Sequence, residues 1–347
     1  MNAIAPAIGS FRIQRGSATS RVFAVVALAL VAVLVVLPQW GDDSLKQKMV
    51  VLYVYVALAQ MWNLLAGYSG LVSIGQQAFF GLGAYGLIYF ANNQNQDIYF
   101  AVLPAMAVAM VVSVPVALLA FRLRGGYFAI GTWVIAEVIA GLVAKWDEVG
   151  AGRGVSLDVA GYAVGDRRDT VYWLALGLAV GSVLLVYGIL RSRLGLALQA
   201  IRDNEAGARG LGANVYWSRF AVFVIAALWT GFAGAVYYLQ NLRVQPIAAF
   251  SVLSWTAPII FIVVIGGLGT IEGPIIGAVV YYVLRERFAD YTTWYLIGLG
   301  VVAILVALYL RRGLWGTLAD RFGWRLFPVR RRLVPRRTEA SHDRLPG

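Results

Sequence analysis

The chain has no cysteine, which excludes disulfides, thiolate nucleophiles and cysteine-held zinc or iron–sulfur sites. Its single histidine, His342, lies in a polar C-terminal stretch, so no apolar run carries an imidazole for proton transfer or metal binding. Lysine occurs only at Lys46, Lys48 and Lys145, and no G-x-x-x-x-G-K-[ST] run is present. Without that phosphate-gripping loop the chain does not hydrolyse ATP by itself. Charge is scarce too. Only 13% of the 347 residues are Asp, Glu, Lys or Arg, against about 25% in a soluble domain.

What fills the space is apolar: 60% of the residues are hydrophobic. They fall into continuous blocks of the roughly 20 residues that a helix needs to cross a bilayer. A membrane β-barrel would instead show alternating segments of about ten residues. The expected fold class is an all-α polytopic membrane protein with about ten transmembrane helices, some short or broken. The expected spans are Val22–Leu37, Met49–Ala66, Leu71–Phe90, Ile98–Phe121, Tyr127–Val143, Val171–Leu190, Phe220–Leu239, Val252–Leu268, Pro274–Phe288 and Thr293–Leu310. The third is rich in glycine and the ninth is short, so either fits a broken or re-entrant helix. The first follows Arg12, Arg15 and Arg21 and leads into Pro38, Gln39 and Trp40 rather than a small-residue cleavage site. It reads as an uncleaved span.

The formal net charge is +12. The basic stretches lack a folded reader module, so nucleic acid is not an expected partner. In a membrane protein, basic residues collect in cytoplasmic loops and set orientation. With the amino end inside, the cytoplasmic side receives Arg122, Arg124, the 191–219 loop and a tail with nine arginines between Arg311 and Arg337. The opposite side receives "NNQNQD" (Asn92–Asp97) and a 144–170 loop in which acids slightly outnumber bases. Lys46, Lys48, Arg285 and Arg287 run against the rule. Both termini are therefore expected in the cytoplasm. The expected organisation is a 1–21 N-terminal segment, a 22–310 transmembrane domain and a 311–347 basic tail. That tail would touch anionic membrane lipids and have no fixed structure beyond about Phe327.

Several stretches carry polar groups where lipid would penalise them. "GLGAYG" (Gly81–Gly86) matches G-x-G-x-x-G, but a dinucleotide site needs a preceding strand and a βαβ unit. Inside an apolar block, its small residues are expected to let helices approach closely. "NLLAGYSGLVSIGQQAFFGLGAYG" (Asn63–Gly86) places Asn63, Ser69, Ser73, Gln76 and Gln77 within or beside spans. Such groups are satisfied by other helices, by water or by cargo, and Gly67, Gly70 and Gly75 loosen the helix as in broken transporter helices. The five polar residues are candidates for a pathway lining, with helix–helix glue as the other reading. Glu137 lies about 15 Å along the helix from Tyr127, near mid-membrane, and is expected to face an interior cavity or an ion-pair partner. Glu272 reads as a loop or half-helix cap.

Between two apolar runs lies "RSRLGLALQAIRDNEAGARGLGANVYWSRF" (Arg191–Phe220). Leu194, Leu198, Ile201 and Glu205 step at helical spacing, so one amphipathic helix outside the bilayer is expected. A connector needs only a few residues; this one suits docking into a groove on a partner. An embedded enzyme is not favoured: no catalytic constellation is placed in the spans. An ion-coupled carrier or channel working without ATPases is the alternative.

Read together, these residues resemble the permease subunits of the branched-chain amino acid ABC importer family. The matching stretches are "AGYSGLVSIGQQAFFGLGAY", "RLRGGYFAIGT", "LGLALQAIRDNEAGARGLGANV" with "FAVFVIAALWTGFAGAVYY", and "IGGLGTIEGPIIGA", in the family's order. The likeness is closer to the second of the two permeases in such systems. It implies that Arg202–Gly212 docks onto an ATPase subunit, with Arg202, Asp203, Glu205, Ala206, Arg209 and Gly212 as the coupling residues. Two departures stand out. Gly207 follows Ala206 where the importer pattern reads E-A-A-x-x-x-G, and "GAGRGVSL" (Gly150–Leu157) replaces a T-G-G-x-x-G-like run. The implied assembly lies in a bacterial inner membrane. It comprises two ATP-binding subunits, a second homologous permease and an external solute-binding protein, and this chain needs no cofactor. Cargoes in the family range from leucine-like amino acids to urea and short amides.

Overall fold

Lipid offers no water to free backbone groups, and a helix satisfies its own; the apolar runs fold accordingly. The computed structural model describes residues 11–14, 18–288, 292–310, 312–322, 326–327 and 332–335. The helices, in chain order, begin with α1 (Ala18–Val36), α2 (Asp43–Asn63), α3 (Gln76–Ile88), α4 (Val102–Ala120), α5 (Gly126–Ala144) and α6 (Val164–Arg191). They continue with α7 (Arg193–Asp203), α8 (Glu205–Gly210), α9 (Val215–Asn241), α10 (Pro246–Ala249), α11 (Ala257–Gly266), α12 (Glu272–Phe288), α13 (Thr292–Tyr309) and α14 (Gly313–Phe322).

Among the described residues, seven helical stretches are long and apolar enough to cross a membrane. They are Val22–Gln39, Asp43–Tyr68, Val102–Ala120, Gly126–Ala144, Val164–Arg191, Val215–Asn241 and Pro246–Gly266. Seven rather than ten meet that measure. The other three expected spans coincide with α3, α12 and α13. α3 runs on into a π-helical turn at Tyr89–Asn93, so its helical stretch, Gln76–Asn93, extends about 27 Å, close to the roughly 30 Å hydrocarbon core. The expected span Leu71–Phe90 is a broken one. Its first residues have no regular structure, and Gly70 turns the chain with φ +73°, a conformation open to glycine and strained for most other residues.

α2 is the axis of the bundle, buried almost continuously from Tyr53 to Asn63 and packed by α6, α9, α11 and α12. α3 lies in the crook of α4 and α9. The α3–α9 crossing brings backbone onto backbone. A Cβ on Gly83 would sit 1.9 Å from the Gly231 carbonyl oxygen, and one on Gly234 2.0 Å from that of Phe80. The "GLGAYG" run is therefore packing, as expected of small residues between helices. In contrast, α1 is exposed along nearly its whole length. It is held where Tyr172 Oη donates to Leu34 O at 2.8 Å and Trp173 Nε1 to Val35 O at 3.1 Å.

The two ends of the bundle differ. At one end the 144–170 loop is pinned by a two-residue antiparallel ladder, Val155 opposite Val244 and Ser156 opposite Arg243. Nearby, Tyr162 Oη donates to Asp97 Oδ2 at 2.8 Å, and the Tyr99 and Phe100 amides donate to Oδ1. Burial alone would raise the Asp97 carboxyl; these three hydrogen bonds outweigh it and hold the group below the usual carboxylate range. The other end carries α7, α8, the turn between α11 and α12, and α14. There residues Phe11–Gln14 pair antiparallel with Arg332–Pro335.

Part of the basic segment after residue 311 is helical, as α14. Trp315 is buried, and Gly313 packs directly on Gly267. Glu272 does cap this region: it opens α12, and its Oε1 accepts from the Phe327 amide at 3.2 Å. The expected lack of fixed structure past Phe327 falls mostly on positions outside the described residues.

Candidate functional site

The expected single amphipathic helix is two. α7 ends at Asp203 because Asn204 is extended (φ −154°, ψ 100°), and its side-chain oxygen accepts the Gly207 amide at 2.9 Å, capping α8. An asparagine favours this geometry because its amide competes with the helical backbone. The apolar stripe is as expected: Leu198 and Ile201 are buried, and Ile201 packs with Ala208 and Val215 into a small cluster of its own.

Arg202 keeps an exposed edge while its guanidinium reaches back to α2. Its Nη1 donates to the carbonyl oxygen of Gly67 at 2.6 Å, while Nε and Nη2 reach Asp203 Oδ1 at 3.0 and 2.9 Å. The Gly67 carbonyl is available because α2 widens into a π-helical turn over Leu64–Tyr68 and stops. Carbonyls at a helix C-terminus lack intrahelical partners and attract cations. One turn earlier, Asn63 Nδ2 donates to Thr270 O at 2.7 Å and Asn63 Oδ1 accepts from Gly269 N at 2.8 Å. Three separate pieces of chain thus meet at the broken end of α2: the π-helical turn, α7, and the turn between α11 and α12.

Glu205 has a different task. It accepts from Arg209 Nη2 at 2.6 Å and from Arg219 Nη1 at 2.9 Å, tying α8 to the first turn of α9. The surface left to a partner is small and mostly uncharged. Ala206, Gly207, Gly210 and Gly212 are exposed around Leu211, which is 89% exposed at the tip. Gly212 has φ +85° there. Asp203 and Arg209 flank this knob.

The five polar residues proposed to line a pathway are all buried. Asn63 is committed as above. Ser69 Oγ donates to Leu65 O at 2.7 Å, and Ser73 Oγ accepts from the Gly75 amide at 3.2 Å. Gln76 Oε1 accepts from Thr230 Oγ1 on α9 at 2.8 Å, and Gln77 Oε1 from Thr256 Oγ1 beside α11 at 2.5 Å. Asn63, Gln76 and Gln77 thus bond to neighbouring elements and the two serines within their own stretch, while Gln77 Nε2 has no partner. The surface of this segment belongs instead to Gly70, Val72 and Ile74. Thr132 of α5 holds it in place, its Oγ1 accepting the Ile74 amide at 3.1 Å.

Glu137 departs from its expected place in an interior cavity of the chain. It lies on the exposed face of α5, where Trp133 Nε1 donates to its Oε1 at 3.0 Å. α5 turns Thr132, Ala136 and Ile139 inward, and residue 137 falls on the opposite side. The Arg202–Gly67 link was not foreseeable from spacing, since 135 positions separate the partners. Only the charge of Arg202 beside a glycine-marked helix end hinted at it.

Known proteins bear on this geometry. The family described as branched-chain amino acid transport system, permease component, matches residues 44–310. The branched-chain amino acid permease LivM of Escherichia coli K12 is 28% identical over 292 residues, 75% of this chain and 67% of the relative. A probable LivM of Methanocaldococcus jannaschii is 25% identical over 232 residues, 62% of this chain and 67% of the relative. Among solved structures, PsaBC from Streptococcus pneumoniae in complex with Fab aligns with a TM-score of 0.46 and 11% identity, over 84% of this chain and 99% of that one. With the family matched from the start of α2 to the end of α13, this chain belongs to the permease components of branched-chain amino acid transport systems.

Proposed function

We propose that this chain forms one half of the membrane passage of an ATP-driven importer for branched-chain or closely related amino acids. Two ATP-hydrolysing subunits grip the α7–α8 knob from the cytoplasm, and an external solute-binding protein delivers cargo at the opposite end. Both termini lie in the cytoplasm. α3, α12 and α13, tilted or broken, bring the crossings to about ten. The cargo assignment rests on what the matched relatives are named for.

The Arg202–Gly67 hydrogen bond is the single observation that carries this reading. Movement of α7 by an ATPase passes straight into the unwound stretch after α2, without a flexible linker between. Energy applied outside the bilayer thereby changes backbone inside it, which is what an alternating-access passage requires. Asp203, Ala206, Arg209 and Gly212 supply the outer contact, and Glu205 stiffens the lever.

A second homologous permease covers α5. Glu137 sits mid-helix on an exposed face with Trp133, Val134 and Val138, and a carboxylate facing lipid there costs roughly 3 kcal/mol or more. A partner subunit and a solute passage between the two halves remove that cost. In this reading Glu137 lines the passage from the face of α5 opposite Thr132.

The test uses the assembled complex. An ATPase subunit co-purifies with wild-type chain and is lost from Leu211→Asp, which places a charge on the docking knob. Uptake stops when cellular ATP is exhausted with the proton gradient intact. Uptake that continues under those conditions returns the chain to the ion-coupled carriers.

A further inference from the structure

Several basic residues gather at the α2–α6 end of the bundle, against the rule that places them with the termini. The structure accounts for most of them by pairing. Lys48 Nζ lies 2.5 Å from Glu286 Oε1 and Lys46 Nζ 2.6 Å from Asp169 Oδ1, while Arg168 pairs with Asp43. Arg167 is different. It is 8% exposed, its Nη1 donates to Leu239 O at 2.9 Å, and its Nε has no partner. Among the described residues no carboxylate forms an ion pair with it. A second buried atom nearby, Gln240 Oε1, also lacks a partner.

Arg167, Arg168, Lys46 and Gln240 wall a cavity of about 240 Å³ between the first turns of α2 and α6 and the last turn of α9. Of the cations around it, Lys46 and Arg168 are paired with Asp169 and Asp43, whereas Arg167 forms no ion pair among the described residues. A buried guanidinium without a counter-charge is costly, and its planar fork suits phosphate oxygens.

Depth identifies the source of that phosphate. Trp173 follows Arg168 by five residues, about 8 Å along α6, and is 45% exposed; Trp40, at the end of α1, is 70% exposed. Exposed tryptophans of membrane proteins mark the headgroup level. Beside them runs α1, whose exposed Leu30 and Val33 offer a track for acyl chains. We propose that this cavity binds an anionic phospholipid. Its phosphate sits against the Arg167 and Arg168 guanidinium groups and the Lys46 ammonium that wall the cavity. The site rests on the membrane setting alone and not on the importer reading.

The test needs no transport. The full chain is purified in detergent, and its thermal unfolding is followed with short-tailed phosphatidylglycerol, phosphatidylcholine of the same tails, and inorganic phosphate. Phosphatidylglycerol should stabilise the wild type, and Arg167→Gln should weaken its apparent affinity about tenfold, as loss of a charged hydrogen bond predicts. If that variant does not fold, Arg168→Glu reverses charge on the more exposed wall and should abolish the same stabilisation. Equal stabilisation by phosphatidylcholine overturns the proposal, as does an undiminished effect in the folded variants. Stabilisation by inorganic phosphate alone makes the site one for free anion and overturns the lipid assignment. So does Arg167-dependent capture of an acidic binding protein in the absence of any lipid preference.

Discussion

Arg202 and Glu205 stand three positions apart and hold different parts of the lever. A guanidinium is weakly hydrated and presents several donors in one plane, so Arg202 grips Gly67 and Asp203 together. A hydrogen bond from a charged donor contributes about 1.5–3 kcal/mol, comparable to the coupling between two sites of an allosteric protein. Arg202→Ala should therefore reduce uptake by about tenfold while the ATPase still co-purifies, because the lost contact lies inside the permease. Uptake with ATPase retention measured in parallel decides the point. Loss of both together would place Arg202 in the docking surface. The family resemblance named Arg202 among the expected coupling residues, but the sequence did not show that its guanidinium reaches back to Gly67. An amphipathic pattern shows which side of a helix is apolar, and a charged residue at the border of that stripe reads as solvent-facing.

At the scale of elements, glycine patterning was the more informative part of the sequence. "GLGAYG" inside an apolar block indicated close helix packing, and the Gly83–Gly231 crossing realises it. Gly83→Val should separate α3 from α9, because a backbone oxygen cannot swing aside as a side chain does. The cost should exceed about 3 kcal/mol, the upper range of ordinary overpacking, and appear as loss of monodisperse protein on size-exclusion melting. The break between α7 and α8 was less legible. Leu194, Leu198, Ile201 and Glu205 keep helical spacing across it, and a capping asparagine declares itself only when the next turn donates to it. Asn204→Ala removes that acceptor and should cost about 1 kcal/mol. Hydrogen exchange of the α8 amides should then quicken about fivefold, with α7 unchanged. Equal quickening in both helices would mean that the pair unfolds as one unit.

As a multi-pass permease of the inner membrane, the molecule has surfaces that face lipid and surfaces that await subunits, and exposure alone does not separate them. α1 and α5 are both largely exposed. α1 offers lipid only apolar side chains along Val22–Val36, whereas α5 carries Glu137 halfway along the same kind of surface. Hydropathy could not make this distinction, since one carboxylate scarcely changes the average over a span. It found the spans well enough, including the broken one at α3. The absence of cysteine makes the two surfaces testable directly. Single cysteines at Val134 and Val138 on α5, and at Val26 and Leu30 on α1, are the only thiols in their respective chains. Expressed without a homologous permease, all four should react with a membrane-permeant maleimide at similar rates. Co-expression with that permease should slow Val134→Cys and Val138→Cys about tenfold or more, as burial in a stable interface excludes reagent, and leave Val26→Cys and Leu30→Cys unchanged. Cargo added to the complex should slow Val138→Cys further if Glu137, its neighbour, lines the passage. Equal protection of α1 and α5 would move the partner to another face and leave Glu137 in need of a different explanation.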